Sequence, residues 1–216
     1  MSGSFITFEG IEGSGKSTVA RAVYEAFRRA GIPALLTREP GGTRISEGIR
    51  SMVLDPDATE ICPKAELLLY LASRAQLVQE TIEPALQKGQ VVLCDRFMDA
   101  SVAYQGWARG LGEKLVGDLN AFAVGQTVPG ITFLLDLPVA EGFRRGPERR
   151  EGERRSARDR LEREEQSFHE KVREGYLRLA EKNGDRFVVI DASKPVDEVI
   201  TEVLRNIEAR LNVNIL

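Results

Sequence analysis

Phe5-Ile6-Thr7-Phe8-Glu9-Gly10-Ile11-Glu12-Gly13-Ser14-Gly15-Lys16-Ser17-Thr18 is the stretch that decides the fold. Gly10 to Ser17 matches G-x-x-x-x-G-K-[ST]. A short apolar run precedes it and a helical pattern follows, the context in which this motif forms a phosphate-binding loop. Its glycines let the backbone turn tightly and aim N–H groups at phosphate oxygens, and the helix N-terminus adds its positive end. Lys16 is expected to bridge the β- and γ-phosphates and the Ser17 hydroxyl to ligate Mg²⁺. Residues Gly10, Ile11, Glu12, Gly13, Ser14, Gly15, Lys16, Ser17 and Thr18 are the expected nucleotide cradle.

Outward from the loop, short apolar runs alternate with longer amphipathic ones, the pattern of a parallel sheet flanked by helices. Five strands are expected at 5–8, 34–37, 91–94, 131–135 and 187–190. Helices are expected at 16–29, at 63–87 with a bend at Pro84, at 113–124, at 158–182 and after Pro195. The fold class is an α/β P-loop NTPase fold: one domain over 1–216, a five-stranded parallel sheet, and a mobile lid at about 144–160. Residues 146–156 contain no apolar side chain except Pro147 and can bury little, hence a mobile loop.

Composition narrows the classes. With 42% hydrophobic and 29% charged residues the chain is too apolar to be disordered. No apolar run reaches the ~18–20 residues needed to cross a bilayer, and no secretory signal is visible. Cys62 and Cys94 form no CxxC pair, which fits a reducing, cytoplasmic setting. The single histidine, His169, lies in a charged helical stretch and reads as structural. The net charge is −3, yet 23 of the 30 basic residues are arginine, and nine of these fall between residues 144 and 163 beside five acids. That local excess suits oxyanions, which the guanidinium grips with a fork of donors.

The second half of the site is Val91-Val92-Leu93-Cys94-Asp95-Arg96. An apolar strand ending in Asp is the Walker-B pattern, so Asp95 is expected to hold Mg²⁺ with Ser17, and Arg96 to neutralise phosphate charge. No TKxD or NKxD segment suggests guanine reading.

Four further segments, in order, carry a resemblance. They are Phe8-Glu9-Gly10-Ile11-Glu12-Gly13, Arg38-Glu39-Pro40-Gly41-Gly42-Thr43, Leu67-Leu68-Leu69-Tyr70-Leu71-Ala72-Ser73-Arg74, and Asp95-Arg96-Phe97-Met98-Asp99-Ala100-Ser101-Val102-Ala103-Tyr104-Gln105-Gly106. Asp159-Arg160-Leu161-Glu162 resembles the end of a lid. Together they resemble the thymidylate kinase family, of the bacterial type with an arginine-rich lid and no arginine in the P-loop.

The resemblance implies transfer of the ATP γ-phosphate to dTMP with Mg²⁺, in dTTP synthesis, in a homodimer. It implies that Glu12 faces the sugar 3′-hydroxyl and the reacting phosphates, and that Arg96 and Arg50 bind the dTMP phosphate. Arg74 would bond the thymine edge, Tyr70 would stack on the base, Ser101 and Gln105 would read N3, and Tyr104 would pack near the sugar 2′ carbon. Arg38, Glu39 and Pro40 would border the acceptor, though Arg38 and Glu39 can equally pair and brace their loop. Two departures are Ala100 for the family's first serine and Phe97 for a tyrosine or histidine. With Gly13 and Ser14 in the P-loop, the transition-state cation is expected from the lid, with Arg154, Arg155 and Arg158 nearest and Arg149 and Arg150 further in.

The expected chemistry is direct in-line transfer without a covalent intermediate, because a phosphate with a second pKa near ~6 is already anionic at neutral pH. Two rivals remain at this level: another nucleoside monophosphate kinase, and a nucleic-acid-binding P-loop ATPase using residues 144–163. The interleaved acids and the lack of stacking aromatics in that strip speak against the second, so neither a nucleic acid nor a membrane is expected as partner.

Overall fold

The computed structural model describes residues 3–146 and 159–216. Five strands form one parallel sheet in the order β2-β3-β1-β4-β5. They are β1 (Phe5–Glu9), β2 (Ala34–Arg38), β3 (Val91–Asp95), β4 (Ile131–Asp136) and β5 (Phe187–Asp191). Each expected strand is present and runs one residue further, and the added residue is charged every time: Glu9, Arg38, Asp95, Asp136 and Asp191. The apolar signal ends where the strand leaves the core. The charged ends gather at the carboxyl edge of the sheet, where open α/β sheets bind ligands. The central strands β1 and β3 are buried throughout, whereas the edge strands β2 and β5 are partly exposed.

The helices are α1 (Lys16–Arg29), α2 (Arg44–Val53), α3 (Pro63–Leu77), α4 (Glu83–Gln87), α5 (Met98–Ser101), α6 (Glu113–Val124), α7 (Val139–Arg145), α8 (Gln166–Lys182) and α9 (Val196–Leu211). In α1, Val19, Ala20, Val23, Ala26 and Phe27 are buried along one face. The single helix expected at 63–87 is three pieces. A π-helical turn, Val78–Ile82, separates α3 from α4, and Pro84 falls in the first turn of α4. Proline lacks the N–H that would continue the ladder, and a π-bulge widens the helix ahead of it. A second π-helical segment, Val102–Ala108, follows α5.

The helix expected at 158–182 begins only at Gln166. Asp159 Oδ1 accepts from the backbone N–H groups of Leu161 and Glu162 at 2.9 Å, closing a turn that competes with helix. α2 is capped by Thr43, whose hydroxyl accepts from the Ser46 N–H at 3.1 Å. α5 and α7 carry no periodic signal of their own.

Candidate active site

Gly10 and Gly13 bring the loop close to its neighbours. At Gly13 φ is +75°, and a Cβ would meet the Gly142 carbonyl oxygen of α7 at 2.5 Å; at Gly10 a Cβ would meet the Leu135 carbonyl oxygen at 2.5 Å. Only glycine fits both the conformation and the space. The loop therefore sits directly on β4 and α7, and α1 begins at its far end. Lys16 is buried, and its Nζ donates to the Ile11 carbonyl oxygen at 2.7 Å. The Ser17 hydroxyl donates to Asp95 Oδ2 across the gap between α1 and β3. The two side-chain oxygens are thereby brought together, and both are of the kind Mg²⁺ takes.

Arg96 follows β3 with φ at +66°, a left-handed conformation that costs a residue with a Cβ of order 1 kcal/mol or more. Its N–H donates to the Phe8 carbonyl oxygen at 2.9 Å, which fixes that turn. Its Nη2 meets Glu12 Oε1 at 2.6 Å and its Nη1 meets the Tyr176 hydroxyl at 3.1 Å. The guanidinium carbon lies 5.1 Å from the Tyr104 ring centre. The Tyr104 hydroxyl also donates to Glu12, at 2.8 and 3.0 Å. Burial alone would raise the Glu12 carboxyl. The Arg96 guanidinium, the His169 hydrogen bond and Lys16 overcome that and hold it far below the usual carboxylate range. His169 is thus no remote structural residue: it is buried, with Nδ1 3.3 Å from Glu12 Oε2.

Beneath this cluster Glu9 is fully buried. It accepts from the Phe97 N–H at 2.7 Å and from the Tyr176 hydroxyl at 2.8 Å. Burial, reinforced by the Asp99 charge, raises its pKa from 4.5 to about 8.

A second cluster is built from β2, α2, α3 and the π-helical segment Val102–Ala108. Arg74 is 1% exposed and bonds Glu39 at 2.8 Å, Asn120 at 2.6 Å and the Phe97 carbonyl oxygen at 3.1 Å. Arg38 and Glu39 do not pair with each other. Arg38 pairs with Glu47 of α2 at 2.9 Å, and Glu39 with Arg74. Burial outweighs Arg74 and raises the Glu39 carboxyl. Arg50 Nη1 donates to the Pro40 carbonyl oxygen at 2.8 Å. Tyr70 is buried on α3, and burial pushes its hydroxyl pKa up. Four buried side-chain atoms among the described residues lack a partner: Arg38 Nε, Glu39 Oε1, Ser101 Oγ and His169 Nε2.

Sequence reasoning missed a further buried carboxylate, Glu66, which accepts from Gln105, Arg109 and Arg160. It missed Tyr176 as well, which reads in sequence only as one member of an apolar stripe. Four arginines of the 144–163 strip are described, and each is engaged. Arg144 and Arg145 pair with Glu141, Arg160 with Glu66, and Arg163 donates to the Pro56 carbonyl oxygen at 3.1 Å. Arg149, Arg150, Arg154, Arg155 and Arg158 lie outside the described residues.

Comparison with known proteins gives one answer. The family model described as thymidylate kinase matches residues 8–203. A thymidylate kinase of Bacillus pumilus is 48% identical over 99% of both chains. That of Geobacter sulfurreducens is 48% identical over 93% of this chain and 94% of its own. The crystal structure of thymidylate kinase from Ehrlichia chaffeensis superposes with a TM-score of 0.75 at 31% identity, covering 96% of this chain and 99% of that one.

Proposed function

Because this chain belongs to the thymidylate kinase family, whose members phosphorylate dTMP to dTDP with ATP, we propose how its own residues divide that work. The observation that carries the assignment is the placement of the unpartnered buried atoms. A buried polar atom without a hydrogen bond costs ~1–3 kcal/mol and is rare in native proteins. Three of the four belong to Arg38, Glu39 and Ser101, residues assigned to the acceptor on independent grounds, and the fourth to His169 beside Glu12. A nucleotide that bonds them would relieve the cost.

In this reading Gly10, Ile11, Glu12, Gly13, Ser14, Gly15, Lys16, Ser17 and Thr18 hold ATP. Ser17 and Asp95 would hold Mg²⁺, which would supply charge neutralisation for the phosphates. Arg96 and Arg50 bind the dTMP phosphate. Arg74, Ser101 and Gln105 read the thymine, Tyr70 stacks on it, and Tyr104 borders the sugar with Glu39 and Pro40. An oxygen of the dTMP phosphate attacks the γ-phosphorus of ATP in line while the bond from that phosphorus to the β–γ bridging oxygen breaks, and ADP leaves. The acceptor phosphate arrives as an anion, so the protein positions and neutralises and removes no proton. Arg96 is already oriented by Glu12 and Tyr176, and an incoming phosphate can replace Glu12 as its partner. The further cation comes from Arg154, Arg155 or Arg158 of the lid over 144–160.

We further assign the chain to one domain acting as a cytoplasmic homodimer, with no nucleic-acid or membrane partner. Its two cysteines are unpaired, and among the described residues no helix is long and apolar enough to cross a membrane. Leu68 of α3 and Leu115 and Phe122 of α6 expose large apolar area on helices that pack together, which suits a second copy. The test is an acceptor panel of dTMP, dUMP, UMP, dCMP and AMP at saturating ATP. Highest kcat/KM for dTMP is expected, and preference for any other acceptor overturns the assignment.

A further inference from the structure

We propose that Glu66 is a positioning residue that fixes the Gln105 amide and so selects a base with an N–H at position 3. The inference rests on the reading that Gln105 faces the acceptor base. Glu66 lies in the first turn of α3, 1% exposed, and its carboxylate is clamped from three sides. Gln105 Nε2 donates to Oε1 at 2.8 Å. Arg109 donates through Nε at 3.3 Å and Nη2 at 3.2 Å. Arg160 Nη2 donates to Oε2 at 2.6 Å and is itself held by the Val53 carbonyl oxygen at 3.2 Å.

A carboxylate that faces two guanidinium groups offers lone pairs and no N–H. An amide has a donor end and an acceptor end, and nothing in its shape alone chooses between them. Against Glu66 only the NH₂ end can bond, so the Oε1 carbonyl must face the other way. Ser101, four residues earlier, brings a buried hydroxyl that lacks a partner to the same stretch. An acceptor turned away from Glu66 suits the N3–H of thymine or uracil. Cytosine presents a lone pair at N3 and would meet it with repulsion. A site built to bond a polar group rejects the analogue that lacks it far more strongly than an apolar pocket rejects a methyl group.

The test is kcat/KM for dTMP and dCMP in the wild type, Glu66→Gln, Glu66→Asp and Gln105→Ala. Glutamine at 66 can donate or accept, which frees Gln105 to present either end. The dTMP/dCMP ratio is expected to fall about tenfold or more in Glu66→Gln with the KM for ATP unchanged. Glu66→Asp retains acceptor-only chemistry and should keep the ratio even where its shorter reach lowers both values. Equal loss for both nucleotides in Glu66→Gln marks a purely structural role and overturns the inference. If Gln105→Ala leaves the KM for dTMP unchanged, Gln105 does not face the base and both readings fail. If it raises that KM while Glu66→Gln keeps the ratio, only the present inference fails. Should Glu66→Gln not fold, Glu66→Ala takes its place: it removes the acceptor that fixes the amide, the dTMP/dCMP ratio is expected to fall about tenfold, and an unchanged ratio overturns the proposal.

Discussion

Glu9 offers a quantitative test of the buried carboxyl group beneath the Glu12–Arg96 cluster. It closes β1 and has no exposed surface, and burial with the Asp99 charge lifts its pKa from 4.5 to about 8. The folded protein therefore keeps Glu9 protonated at pH values where the unfolded chain has released that proton. The associated stability is fully present below the unfolded pKa and is lost as pH rises through the folded one. With these two pKa values, linkage gives a loss of about 2 kcal/mol between pH ~6 and pH ~8 from this group. At an m-value of about 3 kcal/mol/M that moves the urea midpoint down by roughly 0.7 M. Glu9→Gln has nearly the same shape, keeps an acceptor for the Phe97 N–H and cannot ionise. Urea unfolding of both proteins at the two pH values cancels any constant cost of the substitution and reads only the difference in slope. The wild type should lose midpoint on going to the higher pH, and Glu9→Gln should lose less by about that amount. Parallel pH dependence in the two proteins would refute the reasoning.

Three further outcomes follow from the site. Arg96→Ala should lower kcat about 10³-fold with little change in the KM for ATP, since it removes the cation proposed to meet the acceptor phosphate; a loss under tenfold with unchanged melting temperature contradicts that role. Of Arg154→Ala, Arg155→Ala and Arg158→Ala, at least one should slow single-turnover transfer more than tenfold, and three near-normal rates would remove the lid arginines from the mechanism. Phe122→Glu places a charge on a side chain 89% exposed on α6. Sedimentation should show the mass falling to that of a monomer, and an unchanged mass excludes this face as the dimer contact.

The legible parts were those written in local pattern. All five strands could be placed, because a buried parallel strand is an unbroken apolar run. Their last residues could not, because a charged residue at a strand end looks like the start of a loop. α5 and α7, at four and seven residues, are too short to show a 3.6-residue period. Helix α8 began late because the Asp159 turn wins over helical periodicity there. Among site residues, Arg38 was expected either at the acceptor or paired with Glu39. Its partner is Glu47 of α2, a helix known beforehand only through the resemblance.

The sequence by itself determined the strand–loop–helix cradle, the parallel sheet and the family, all of which depend on neighbours a few positions apart. Tertiary structure alone decided which carboxylate meets which cation. Glu66 is 39 positions from Gln105 and 94 from Arg160, Glu9 is 167 from Tyr176, and His169 reaches Glu12 only when α8 lies against the P-loop. Such contacts have no period, and burial, which sets their protonation and their cost, exists only once the chain has closed around them.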